Sequence, residues 1–239
     1  MQLAELTWDA TPTDPAAILL PVGSTEQHGP HAPLGTDTLT AGDVARRTAD
    51  RADHELVIAP SIPVGVAAEH RHFRGSLWVS ADTFQAYVGE VVEALVSHGW
   101  RRIVLINGHG GNVAALEILS AELTRALPAR VVPFTWFDKV ATEYRQQMGH
   151  GGPIETAAVQ AIAPELIDET RLESAATDGA DRWGRWVGRT NIAVDTDEFS
   201  TSGAVGDPRS ASAELGDEVL EAAVEELLAV VDKLGDLEE

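Results

Sequence analysis

The chain has 239 residues, 44% of them apolar and 23% charged, a composition suited to a globular protein with a substantial core. It contains no cysteine, which excludes disulfides, thiolate metal sites and thiol catalysis, so any metal site must be built from His, Asp and Glu. The net charge of −21, with lysine only at 139 and 233, argues against nucleic acid and anionic membranes as partners.

The N-terminal "MQLAELTWDATPTD" is acidic and has no basic n-region followed by an apolar stretch, so no secretory signal is read and a cytoplasmic location is expected. No apolar run approaches the roughly 20 residues that span a bilayer. Residues 17–22 form the first short apolar run bounded by polar or Gly/Pro residues, and read as a buried strand. The loop "GSTEQHGPHAPLGTD" follows it, and a helix is expected over 38–52. A second strand is expected over 55–59. The segment "EHRHFRG" places His70 and His72 two residues apart, on one side if extended; surface or interface packing is favoured there over metal ligation. Phe84, Tyr87, Val88, Val91, Val92, Leu95 and Val96 recur at spacings of three and four, which predicts a helix over 83–98 stopped at His98-Gly99. His54 and His98 read as structural or surface residues.

A third strand over 102–106 leads into "NGHGGN" and a helix over 113–127. A fourth strand is expected over 130–134. "HGGPIET" opens a short helical run over 156–163. Residues 171–211, with Trp183 and Trp186, read as long loops with room for a short hairpin. The chain closes on a helix over about 212–234, striped by Leu215, Val219, Ala223, Leu227 and Val230. Strands alternating with helices predict one α/β domain, a mainly parallel sheet with helices on both faces. No internal repeat or dividing linker is evident. The spread of acids along the chain, with Arg kept over Lys, favours a salt-adapted surface over an acidic face for a basic partner.

In open α/β sheets ligands bind outside the carboxyl ends of the strands. The loops beginning at Gly23, Ser61, Asn107 and Thr135 share that rim. The first carries Glu26, His28, His31 and Asp37, the third carries His109, and "HGGPIET" adds His150 and Glu155. Each has a plain reading alone: a polar turn, an anion cradle at a helix N-terminus, a helix-starting turn. Their convergence on one rim favours a metal site of hard-to-borderline donors, suited to Zn, Mn or Fe. A carboxylate bridging two ions would make a two-metal hydrolytic site.

These motifs resemble those of the creatininase family of metal-dependent amidohydrolases. "LPVGSTEQHGPHAPLGTD" is similar to its N-terminal signature, and "NGHGGN" and "HGGPIET" to its second and third motifs. "GAVGDPRSASAELG" and "LAELTW" extend the resemblance over nearly the whole chain. The resemblance implies an α/β fold, a homo-oligomer such as a hexamer, and one or two divalent metals per subunit. It places metal ligands at Glu26, His28, Asp37 and His109, with Asp37 bridging. His150 matches the family's catalytic proton shuttle, and Glu155 is a further ligand or acid/base. Gly110, Gly111 and Trp136 are the expected substrate contacts, and His31 is expected either to back the ligands or to contact substrate. The expected partner is a small-molecule or short-peptide amide.

Two departures bear on the substrate. Creatinine-hydrolysing members resemble "NGH-x-E-N", with that Glu a metal ligand; here Gly111 takes its place. Those members also set Trp residues over the planar substrate, whereas residues 138–150 contain none. Creatinine is therefore not the expected substrate. The Gly-Gly form is more similar to two other branches: peptidases that remove a C-terminal dipeptide from a mycofactocin precursor peptide, and archaeal formamide hydrolases. The first fits slightly better. The expected reaction is hydrolysis of a C–N amide bond by metal-activated water, with His150 protonating the leaving nitrogen. The rival readings are a non-catalytic metal- and anion-binding module, and a two-metal phosphoesterase, which would want basic residues where only Arg71 and Arg74 are near.

Overall fold

A computed structural model describes residues 1–139, 144 and 147–236. Four strands form the main sheet: β1 (Ala17–Val22), β2 (Leu56–Ile58), β3 (Arg102–Asn107) and β4 (Arg130–Thr135). All pair in parallel, in the order β2-β1-β3-β4. Every residue of β1 is buried, as expected of a strand with neighbours on both edges and helices on both faces.

Alternation along the strands divides the core in two. Leu19, Val104 and Ile106 face α1 (Thr36–Arg51), α4 (Pro153–Ile162) and α6 (Ala213–Gly235). Ile18, Leu20, Ile103 and Leu105 face α2 (Ala81–Ser97) and α3 (Val113–Ala126). The α2 stripe predicted from periodicity supplies Phe84, Val88, Val92 and Leu95 to that second core. Local caps agree with the sequence: the Ser80 hydroxyl accepts from the Thr83 N–H, and the Ser212 hydroxyl from the Leu215 N–H.

Two of the helices that start earlier than periodicity suggests matter for function. α1 begins at Thr36, which puts Asp37 in its first turn. α4 begins at Pro153, whose fixed φ suits the first helical position, and this puts Glu155 in the first turn. Both carboxylates therefore sit at the positive end of a helix dipole. The segment 171–211 contains the short hairpin for which the sequence left room, β5 (Trp186–Val187) with β6 (Thr190–Asn191), and in addition a short helix α5 (Leu172–Thr177).

At the carboxyl edge Val22 pairs with Asn107, and Asn107 with Thr135, so the loops after β1, β3 and β4 leave side by side. Among the described residues, no helix is long and apolar enough to cross a membrane.

Candidate metal centre

The rim loops are tied together by the two asparagines of "NGHGGN". Asn107 donates to the His109 carbonyl at 2.8 Å and accepts from the His109 N–H at 3.1 Å, fixing the turn that presents His109. Asn112 accepts from the Val66 N–H at 2.9 Å and donates to the Gly23 carbonyl at 3.0 Å, joining the loops after β1, β2 and β3. Gly108 is required by contact: a Cβ there would lie 2.1 Å from the Asp37 carbonyl oxygen. The "GAVGDP" segment has a structural task as well. The Val205 carbonyl accepts from the His150 N–H at 3.0 Å, and the Val205 N–H donates to the His150 carbonyl at 2.7 Å.

These constraints bring Glu26, His28, Asp37, His109, His150 and Glu155 into one buried cluster; Glu26 and His28 are fully buried and Asp37 is 2% exposed. His28 Nε2 lies 3.0 Å from Asp37 Oδ1 and 3.8 Å from Glu155 Oε2. His109 Nδ1 lies 3.1 Å from Glu26 Oε1 and 3.4 Å from Asp37 Oδ2. Asp37 thus offers one oxygen to each imidazole, and the cluster divides into a Glu26–Asp37–His109 half and a His28–Asp37–Glu155 half.

The donor set fits divalent metals on two observations. Both oxygens of Glu26 and Asp37 Oδ2 are buried without a well-aligned hydrogen-bond partner, an arrangement too costly for carboxylates unless a cation neutralises them. The outer nitrogens of the facing imidazoles are already committed to backbone. His28 Nδ1 donates to the Glu26 carbonyl at 3.1 Å, and His109 Nε2 donates to the Val66 carbonyl at 2.9 Å. That leaves His28 Nε2 and His109 Nδ1 turned inward, as in ligating histidines whose outer N–H is anchored to a carbonyl.

The electrostatics sort four imidazoles into two kinds. Burial works against charge on His28, but Asp37 outweighs it and raises the pKa to about 10. Burial likewise opposes charge on His109, and Glu26 and Asp37 overcome it, raising the pKa well above the usual value. His150 is pushed well below the ordinary range by burial and then by the charge on His28. Burial, with the charges on His28 and His109, brings His70 down to about 3. Among the acids, burial would raise Asp37, but His28 and His109 hold it down to about 2. Burial lifts Glu155 to about 7 and raises Glu26. Without metal, His28 and His109 are the cations of the cluster, and His70 and His150 are neutral.

The cluster floors a cleft of about 1250 Å³. Gly110 and Gly111 line it. A Cβ at residue 111 would lie 2.1 Å from the Val66 carbonyl oxygen, so this backbone admits no side chain there. His31 lies where the first of its two expected roles puts it, and the expected substrate contact at Trp136 is corrected. His31 does not line the cleft; it is buried behind the ligands with Nε2 2.9 Å from the Thr156 hydroxyl. Trp136 is fully buried in the core beside α6, because the first residue after β4 turns inward; its neighbour Phe137 lines the cleft instead.

His70 is the main residue the sequence reading missed. It is 1% exposed, and its Nε2 lies 3.3 Å from Glu26 Oε1. Residues 68–70 form a 3-10 turn, not an extended segment, so His70 and His72 diverge: His70 enters the cluster and His72 stays outside near Asp195. Trp183, from the loop before β5, stands edge-on to both His70 and His150 at 5.8 Å and walls the cleft. No periodicity marked it; its aromatic character in a polar loop was the only signal.

The parallel sheet and its rim cluster define an α/β protein built around a candidate metal centre of carboxylates and imidazoles. The sequence model of the creatininase family, described as creatinine amidohydrolase, matches residues 4–231. Mycofactocin precursor peptide peptidases are similar: that of Mycobacterium ulcerans is 31% identical over 95% of this chain and 89% of its own. That of Mycolicibacterium smegmatis is 35% identical over 84% of this chain and 78% of its own. A solved creatinine amidohydrolase (creatininase) superposes with a TM-score of 0.80 at 26% identity, covering 97% of this chain and 96% of that one. Other solved creatininases of like similarity are a manganese form and a zinc–zinc form. The chain belongs to the creatininase family and is a hydrolase of carbon–nitrogen amide bonds.

Proposed function

We propose that this chain is a metal-dependent amidohydrolase that cleaves an amide bond near the end of a short peptide. The observation that carries the reading is the set of buried, unpartnered carboxylate oxygens facing imidazoles whose outer nitrogens are already fixed. Glu26, Asp37 and His109 would hold one divalent ion, and His28, Asp37 and Glu155 a second, with Asp37 shared. When bound, such ions polarise the scissile carbonyl and make water a nucleophile near neutral pH. Glu155 completes the second set.

The remaining work falls to the chain's own groups. His150 is neutral and keeps Nδ1 toward the cluster, 3.8 Å from Glu26 Oε1, where it can take a proton and pass it to the leaving nitrogen. The Gly110–Gly111 backbone lies on the cleft wall, and its N–H groups are suited to hold a carbonyl oxygen or a substrate carboxylate. The cleft is far larger than a creatinine molecule needs, and with Phe137, Trp183 and Trp186 on its walls it suits a peptide end with apolar side chains. The likeness to mycofactocin precursor peptide peptidases supports the same substrate class. A phosphoesterase is less well supported: Arg71 is ion-paired with Asp195, and Arg182 on the cleft wall is stacked over the Trp186 ring, 4.1 Å away.

The test is metal analysis of the purified protein together with a screen of short peptides, formamides and creatinine. Release of a C-terminal dipeptide by protein carrying Zn, Mn or Fe is expected. Turnover of formamide or creatinine alone would overturn the substrate assignment, and full peptide hydrolysis by metal-free protein would overturn the metal centre.

A further inference from the structure

The buried side chain between two proposed ligands, Gln27, is bonded on every side. Its Oε1 accepts from the Gly29 N–H at 2.8 Å, and its Nε2 donates to the Gly203 carbonyl at 3.1 Å. Both partners are backbone groups of fixed polarity, so the orientation of the amide is settled. The second hydrogen on Nε2 then points to His70 Nδ1, 2.8 Å away. An amide N–H can only donate, so His70 Nδ1 must carry its lone pair and the ring proton must sit on Nε2, which faces Glu26 Oε1 at 3.3 Å. A metal ligand at that nitrogen would need the lone pair that the proton occupies.

The backbone of the same residue sets a second imidazole. The Gln27 carbonyl accepts from His150 Nε2. A carbonyl can only accept, so His150 carries its proton on Nε2 and its lone pair on Nδ1, the nitrogen that faces Glu26. The two rings are stacked, with centroids 4.3 Å apart and planes at 23°. One glutamine therefore fixes neighbouring rings in opposite senses toward the same carboxylate.

We propose that Gln27 is a tautomer clamp: it makes His70 a positioning residue that presents an N–H to Glu26, and leaves Nδ1 of His150 as the free base of the site. His70 is then not a metal ligand, although it stands within ligand distance of Glu26 and His150. Its N–H stands 3.3 Å from Glu26 Oε1, off the line of a hydrogen bond, and orients that carboxylate through charge. The proposal rests on the reading of the cluster as a metal centre with His150 moving the proton.

Imidazole nitrogen NMR of the ¹⁵N-labelled full chain, metal-free and after addition of Zn²⁺, reads the tautomers directly. His70 is expected to show a protonated Nε2 and a bare Nδ1 in both states, and His150 the same tautomer in the metal-free protein. A bare His70 Nε2 in the metal-free protein, or loss of its proton on addition of Zn²⁺, overturns the clamp. Two variants add a second readout, Zn²⁺ affinity by chelator competition. His70→Gln keeps an N–H near Glu26 and should stay within about threefold of wild type, while His70→Asn cannot reach Glu26 and should bind about 10- to 100-fold more weakly. Equal affinities for the two variants overturn the positioning role. Wild-type protein that binds no divalent metal would instead sink the reading of the centre, and the tautomers, measured without metal, would still be decided separately.

Discussion

Helix α1 carries two sets of acids that are neutralised in opposite ways. Toward its C-terminal half, Asp43 meets Arg46 and Arg47, and Arg47 reaches across to Asp217 and Glu221 of α6. There the cations are built into the chain. At its N-terminal end, Asp37 joins Glu26 and Glu155 in a deeper cluster that, among the described residues, has no Arg or Lys in its ion pairs. Only His28 and His109 supply charge there, and each can release it. The difference separates structural from exchangeable neutralisation: the helix ladder keeps its cations at any ordinary pH, while the rim can trade protons for metal.

The largest effect should follow from removing the shared carboxylate. Asp37→Ala is expected to lose bound Zn or Mn and to lower amide turnover roughly 10⁴-fold, the scale typical of removing a central catalytic group. Metal content by plasma emission and steady-state kinetics check it. Full metal stoichiometry with wild-type turnover would mean that Asp37 bridges nothing. His150→Ala should separate the two functions of the rim, keeping its metal while turnover falls about 10²- to 10⁴-fold. Turnover near wild type would leave His150 only a structural task.

The exchange itself is measurable. In metal-free protein His28 titrates at about 10 and Glu155 at about 7, and His109 is also held protonated. Ligands must lose these protons on binding, so metal affinity should rise with pH. Proton release should be larger at pH 6, where Glu155 contributes, than at pH 8, where His28 and His109 supply it. Glu155 also gives the metal-free fold a pH dependence of known sign. Its folded pKa lies above its ordinary value of 4.5, so its stabilising contribution is full below that value and is lost as pH climbs through about 7. The change should be of order 1–3 kcal/mol and should vanish in Glu155→Gln, as urea titrations at pH 5 and pH 8 would show. Calorimetry of metal uptake in buffers of different ionisation enthalpy counts the protons; uptake without release would erase the contrast with the arginine ladder.

Much of this contrast was legible in the chain. The apolar runs at 17–22 and 102–106 end on acid- and His-bearing loops, and parallel strands send such loops to one rim. Residues whose role depends on distant partners were not legible. Gln27 is explained by Gly203, 176 positions away, and no local pattern encodes that contact. His70 was misplaced because spacing was read on an extended segment where the chain makes a 3-10 turn. Trp136 was misplaced by one position, since sequence does not say which of two adjacent aromatics turns inward after a strand. α4 starts at Pro153, three residues before the expected run at 156, because proline's fixed φ suits the first helical position and apolar periodicity does not register it.

The smallest effect tests whether the two ends of α1 are independent. Arg47 is only 17% exposed and bonds three carboxylates, whereas Arg46 is 53% exposed. Arg47→Met would leave the buried Asp43 with Arg46 alone, and a loss of about 1–3 kcal/mol is expected in urea unfolding, as for hydrogen bonds to charged groups. Arg46→Ala should cost no more than about 0.5 kcal/mol, because an exposed pair is screened by solvent. Neither change touches the rim, and effects of separated sites combine additively, so Zn²⁺ affinity should stay at the wild-type value in both. A drop in affinity for Arg47→Met that matches its loss of stability would show that the ladder holds Asp37 in place through the helix, and the built-in and exchangeable cations would then act as one system.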